Sequence, residues 1–300
     1  MASGAERIQV RAGVLDVTLE RSGSRDGRPV VLLHGFPYDA RCYDEVARLL
    51  AAEGADVVVP YLRGYGETRF TQASTPRSGQ QAALAHDLLA LIDVLGLESP
   101  LVAGYDWGGR AACVVSALWP RRVGGLVTAT GYNIQDIAAS STPRRPELER
   151  RLWYQYYLHG ERGVRGLAAY RSEFARQLWR EWSPTWGFSE TAFAASARSF
   201  DNPDFVDVVV HSYRHRYGLV AGDPAYEPTE AALALQPPIT VPTVVLDGEH
   251  DTVQPPKPRA AYEPHFPALV AHRVLNAGHN APQEAPADFA RAITDLWAAL

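Results

Sequence analysis

The chain has 300 residues, 46% of them hydrophobic and 21% charged. That balance excludes wholesale disorder and leaves room for one large core or a core carrying a sizeable insertion. Its formal net charge is −5 and Lys257 is its single lysine, so no general electrostatic pull towards nucleic acid or anionic lipid is expected. Cys42 and Cys113 are too few for a disulfide framework and read as small buried thiols. The opening MASGAERIQV lacks the apolar core of a signal peptide, and no apolar run reaches the ~18 residues needed to span a bilayer. The expectation is a soluble, cytoplasmic protein with neither membrane nor nucleic-acid partner. Oligomeric state is not legible.

In chain order, IQVRAGVLDVTLE (8–20) alternates as a strand does around a glycine, and SGSRDGRP (22–29) marks a turn. VVLLH (30–34) is a continuous apolar run leading into HGFP, the pattern of a strand buried on both faces. Helical spacing at 44–54 is followed by the strand-like VVVP (57–60), and 80–97 reads as a strongly amphipathic helix ending near Gly96. Residues 100–120 read as strand, glycine-flanked turn and helix, closed by Pro120, and GLVTATG (125–131) as a further strand. This alternation predicts a mostly parallel sheet with helices on both faces.

After about residue 134 the texture changes. From 144 to 217 strand signals vanish and Arg, Trp and Tyr accumulate, including Trp153, Trp179, Trp182 and Trp186. Alternation resumes at VPTVVLDGEHD (241–251) and VAHRVLNAGHN (270–280), before a last helix near 287–300. The parse is an α/β core over 1–134 and 237–300, interrupted by a helical insertion over 135–236.

Chemistry concentrates at Gly104-Tyr105-Asp106-Trp107-Gly108, between a buried strand and a helix. A residue at so sharp a turn is strained and thrust above the sheet edge, and its neighbours two positions away must be small. This is a nucleophile elbow with Asp in place of the commoner Ser. A carboxylate needs no deprotonation to attack, and its attack leaves an ester on the enzyme. The plainer alternative is a βα turn closed by glycines, with Asp106 capping the helix. Elbow enzymes order nucleophile, acid and histidine along the chain. Here Asp251 follows VVLDGEH and His279 lies in AGHN, each beyond a predicted strand, where open α/β sheets place their sites. Asp251 is preferred to Asp247 and Glu249 because it stands at the loop edge. An oxyanion hole needs the N–H after the nucleophile, from Trp107, and one from a loop after an early strand; Phe36 in HGFP is the candidate.

HGFP, RGYG (63–66), GYDWGGR and AGHN together resemble the α/β-hydrolase superfamily, in the branch of epoxide hydrolases and related dehalogenases with an aspartate nucleophile. The resemblance covers nearly the whole chain. It implies an eight-stranded, mostly parallel sheet with a helical cap between strands six and seven, matching the insertion over 135–236. It also implies two cap tyrosines that donate protons to an epoxide oxygen: Tyr154 in YQYY and Tyr213 in HSYR occupy matching contexts. Ring opening makes an alkoxide, a poor leaving group without a proton, and a neutral phenol can supply one. Aromatic packing is the alternative for either tyrosine. Tyr61 stands where the family has an aspartate before RGxG, a position read as structural.

The resulting expectation is an epoxide hydrolase that needs no cofactor. Asp106 attacks a small, apolar epoxide, Tyr154 and Tyr213 protonate its oxygen, and His279 with Asp251 activates water against the ester. A haloalkane or haloacid dehalogenase is the nearest rival, using the same triad with Trp107 as a halide donor; Phe36 stands where many such enzymes have an asparagine. A non-catalytic ligand-binding member of the fold is the third reading. His159, His211 and His215 read as hydrogen-bonded rather than as a metal site, for want of carboxylate or Cys neighbours. The arginines of 162–180 read as a solvated helix face.

Overall fold

The computed structural model describes residues 4–300. Among these residues nine strands form one sheet: β1 (Glu6–Ala12), β2 (Leu15–Gly23), β3 (Pro29–Leu33), β4 (Asp56–Pro60), β5 (Arg69–Phe70), β6 (Leu101–Gly104), β7 (Gly125–Ala129), β8 (Thr243–Gly248) and β9 (Leu269–Leu275). Their order is β1-β2-β4-β3-β6-β7-β8-β9, with the two-residue β5 pairing off this path with β2. That short strand is the one addition to the eight expected. The alternation over 8–20 resolves into two strands, because Gly13 at φ +58° lets the chain fold back and pair Val10 with Val17.

From β4 to β9 the sheet is parallel. Parallel strands need both faces covered, and β4, β6, β7 and β8 are buried along their whole length. The helices Asp44–Ala52 and Pro286–Ala299 pack together, as do Gln81–Val94 and Asp106–Leu118. The helix Gln81–Val94 is less amphipathic than its spacing suggests: Ala82, Ala83, Leu84, Ala85, Leu88, Leu91 and Ile92 are all buried. It has partners on several sides, namely the helix Asp106–Leu118, β1 and the helix Glu227–Leu233.

Strand order reverses around β3, which lies between β4 and β6. Such a switch point opens a crevice at the carboxyl ends of the strands. The loop after β3 (HGFP) and the turn after β6 (GYDWG) both emerge there, with Leu33 paired to Gly104. Between β7 and β8 the described residues form helices and no strand, the longest being Arg171–Trp182 and Phe205–His215. No helix among the described residues is long and apolar enough to cross a membrane.

Candidate active site

Asp106 begins the helix Asp106–Leu118 with φ +48°, a left-handed conformation that non-glycine residues rarely adopt. The turn closes only because its flanks lack side chains. A Cβ on Gly108 would lie 2.0 Å from the Leu33 carbonyl oxygen, and one on Gly104 would lie 2.6 Å from the Gly108 carbonyl carbon. The carboxylate is thereby raised over the carboxyl edge of the sheet and is only 7% exposed. The Phe36 N–H donates to Asp106 Oδ1 at 2.8 Å. Trp107 follows Asp106 in the first turn of its helix, where backbone N–H groups have no intrahelical acceptor.

His279, 1% exposed, sits beyond β9, and its Nδ1 lies 2.7 Å from Asp251 Oδ2. The other Asp251 oxygen accepts the N–H groups of Val253 and Gln254 at 2.7 and 2.9 Å, so the carboxylate is held from both ends. A proton on Nδ1 turns Nε2 towards Asp106, whose Oδ2 is 3.9 Å away, and Nε2 has no protein hydrogen-bond partner. Burial works against protonation of this imidazole, but Asp251, Asp106 and Glu284 outweigh it and hold the pKa above its ordinary value. Asp247, by contrast, accepts from Tyr262 and pairs with His272, away from His279.

Rings close the site from above. Phe36 lies 5.8 Å from Trp107, 6.3 Å from Tyr154 and 5.3 Å from Tyr213, centroid to centroid. Tyr154 and Tyr213 meet edge to face at 5.3 Å, and both are buried. Burial raises both phenol pKa values, with the nearby Arg216 charge acting against it, so both stay protonated. Tyr154 Oη accepts from Gln155 Nε2 at 2.8 Å, whereas Tyr213 Oη has no protein partner. The structure thus brings together the residues singled out from the sequence: the rings of Trp107, Tyr154 and Tyr213 gather on Phe36 beside Asp106, His279 faces Asp106, and Asp251 joins them through His279.

The neighbouring residues were less legible. Ser183 Oγ accepts the His279 N–H at 3.0 Å and donates to Glu284 Oε1 at 2.6 Å, bracketing the histidine loop. Gln155 is itself held by Tyr217 Oη at 3.0 Å. Arg110 and Arg216 were missed. An arginine four residues past the elbow aspartate shares its helix face, the one signal that could have raised Arg110. A cavity of about 620 Å³ reaches Asp106 and is lined by Tyr154 and Gln155 but also by Arg110, Arg216 and Lys257. It is less apolar than the aromatic segment above it suggests. Among the described residues no group of His, Cys, Asp and Glu is arranged to hold a metal ion. His211 Nδ1 accepts from the Gly79 N–H at 3.1 Å and its Nε2 lies 3.1 Å from the Ala221 carbonyl.

Fold and site together define a family. Residues 28–286 match the model of the alpha/beta hydrolase fold, and the chain belongs to that family. A crystal structure of a candidate epoxide hydrolase from Klebsiella pneumoniae superposes with a TM-score of 0.93 at 45% identity, covering 97% of each chain. Epoxide hydrolase B of Mycobacterium tuberculosis is 32% identical over 152 residues, 47% of this chain and 42% of its own length. A fluoroacetate dehalogenase from a Burkholderia species is 37% identical over 111 residues, 37% of this chain and 36% of its own. The matches to these two curated relatives thus span less than half of their lengths. Within the family, the chain groups with the epoxide hydrolase branch.

Proposed function

We propose that the protein is an epoxide hydrolase acting on a small-molecule epoxide, with residues 135–236 as the cap over its site. The observation that carries this reading is the pair of buried, protonated phenols, Tyr154 and Tyr213, on the Phe36 ring beside Asp106. An Asp106 carboxylate oxygen attacks a ring carbon. The C–O bond to that carbon breaks as a tyrosine proton passes to the departing oxygen, leaving a hydroxyalkyl ester and a tyrosinate. His279 Nε2 then takes a proton from water, whose oxygen adds to the ester carbonyl carbon of Asp106. The oxyanion formed is held by the Phe36 and Trp107 N–H groups. Collapse breaks the ester C–O bond, His279 gives its proton to the departing alkoxide to complete the diol, and the proton left on the Asp106 carboxyl passes to the tyrosinate, so that epoxide and water give diol and every group is restored.

A second reading, a dehalogenase on the same triad, is favoured by one observation. The indole Nε1 groups of Trp107 and Trp182 are both buried without a protein acceptor, and halide needs such donors rather than protons. Turnover of styrene oxide beside 1-bromobutane and fluoroacetate separates the two. The expected result is diol formation, abolished in Asp106→Ala and lowered about 10²-fold or more in Tyr213→Phe, the scale of general acid catalysis. Halide release without diol would replace the epoxide reading with the dehalogenase one.

A further inference from the structure

The chemistry above leaves two cations unused. Arg110, one turn beyond Asp106 on the same helix, is 5% exposed, and its Nε and Nη1 are buried without a protein acceptor. Arg216, at the carboxyl end of the helix Phe205–His215, has buried Nε and Nη2 in the same condition. Both line the cavity that reaches Asp106. The Arg216 guanidinium carbon stands 4.3 Å from the centre of the Tyr213 ring, which fixes it beside a proposed proton donor.

Two guanidinium groups with buried, unpartnered N–H donors facing one cavity are costly unless an anion meets them. No carboxylate of the wall accepts a hydrogen bond from the buried Nε and Nη groups of either arginine. Asp106 accepts from Phe36 N–H and faces His279. Glu149 accepts from Tyr156 Oη and the Arg144 N–H, and Asp136 from the Ala139 N–H. Asp106 is moreover the carboxylate that the first step converts to a neutral ester, which removes the nearest compensating charge from Arg110. Burial, reinforced by the charge of Arg216 and opposed by that of Asp106, lowers the Arg110 pKa to about 10, as expected of a cation short of partners.

We propose that the substrate epoxide carries a carboxylate, clamped between Arg110 of the sheet-bound helix and Arg216 of the helical segment. The product is then a dihydroxy acid. The planar guanidinium fork matches a carboxylate bidentately, and Arg110 ties that group to a set position relative to the nucleophile. This inference rests on the epoxide reading for the reaction, but not for the anion site.

The test compares phenylglycidate with its neutral amide as substrates, and cinnamate with cinnamamide as unreactive ligands in calorimetric titrations. The wild type is expected to favour the acid in kcat/KM by about 10- to 100-fold, the scale of hydrogen bonds to charged groups. Arg110→Met and Arg216→Met are each expected to collapse that ratio and to abolish the preference for cinnamate. Arg216 is partly exposed and carries the test alone if Arg110→Met does not fold. Equal turnover of acid and amide by the wild type, with cinnamate bound no tighter than its amide, would overturn the clamp and leave the epoxide reading intact. Arginine-dependent cinnamate binding without turnover of either epoxide would keep the anion site and remove the epoxide reading. Neither turnover nor cinnamate binding would overturn both.

Discussion

At Asp106 a strained backbone, a raised carboxylate and an absent pair of side chains are one feature. The φ of +48° persists because the strands below and the helix beyond over-determine it, and the 2.0 Å approach that a Gly108 Cβ would make is to backbone oxygen, which cannot swing away. Gly108→Ala is therefore expected to destabilise the fold by about 1–3 kcal/mol or more, read as a lowered midpoint in thermal or urea unfolding. An unchanged midpoint would mean that the elbow is far looser than these distances. His279 leads to a pH prediction. Its pKa in the resting enzyme is held up partly by the charge on Asp106, and the proposed ester would carry no such charge. The imidazole must be neutral to act as base, so ester hydrolysis falls as pH drops through its pKa in the intermediate. That acid limb is expected at a lower pH than the His279 titration followed by NMR in the free enzyme. A limb at the same pH or higher would contradict the coupling.

Among the elements, the loop after β3 does more than supply Phe36. Trp179 Nε1 donates to the Pro37 carbonyl at 2.8 Å, Tyr38 stacks on Trp179 at 4.8 Å, and Ser199 Oγ donates to Asp39 Oδ2 at 2.6 Å. One loop thus sets the proposed oxyanion donor and ties the helical segment to the sheet. Burial lifts the Asp39 carboxyl to about 7, against the hydrogen bond from Ser199. An unfolded aspartate titrates near ~3.9, so between these values the folded state binds more protons than the unfolded one and stability falls as pH rises. Asp39→Asn keeps the shape without the charge. Its melting temperature relative to wild type is expected to climb from pH 4 to about pH 7 and to level off above that. A difference independent of pH would contradict the buried carboxyl. The elements themselves were largely legible because β-branched runs and glycine-flanked turns are local signals. The helix Gln81–Val94 was misread as strongly amphipathic because spacing cannot report how many neighbours a helix will have. Arg110 was overlooked for a similar reason: a cation one turn into a helix reads as solvated until the segment packed over it is placed.

For the whole molecule, the crevice at the strand-order reversal and the helical segment over it bound a charged and aromatic cavity that reaches Asp106. The order of the proposed triad could be read along the chain, since Asp106, Asp251 and His279 each follow a strand. The meeting of Tyr154 and Tyr213 could be expected only from family resemblance, because residues 59 positions apart in the sequence come together through the packing of the segment between β7 and β8. The central claim is the ester on Asp106, and it is tested most directly by trapping it. His279→Gln, incubated with styrene oxide and digested, is expected to show a mass gain of one styrene oxide on the peptide carrying Asp106, and no diol beyond a single turnover. Sustained diol formation with that peptide unmodified would contradict the account, because water would then be reaching the epoxide without the nucleophile.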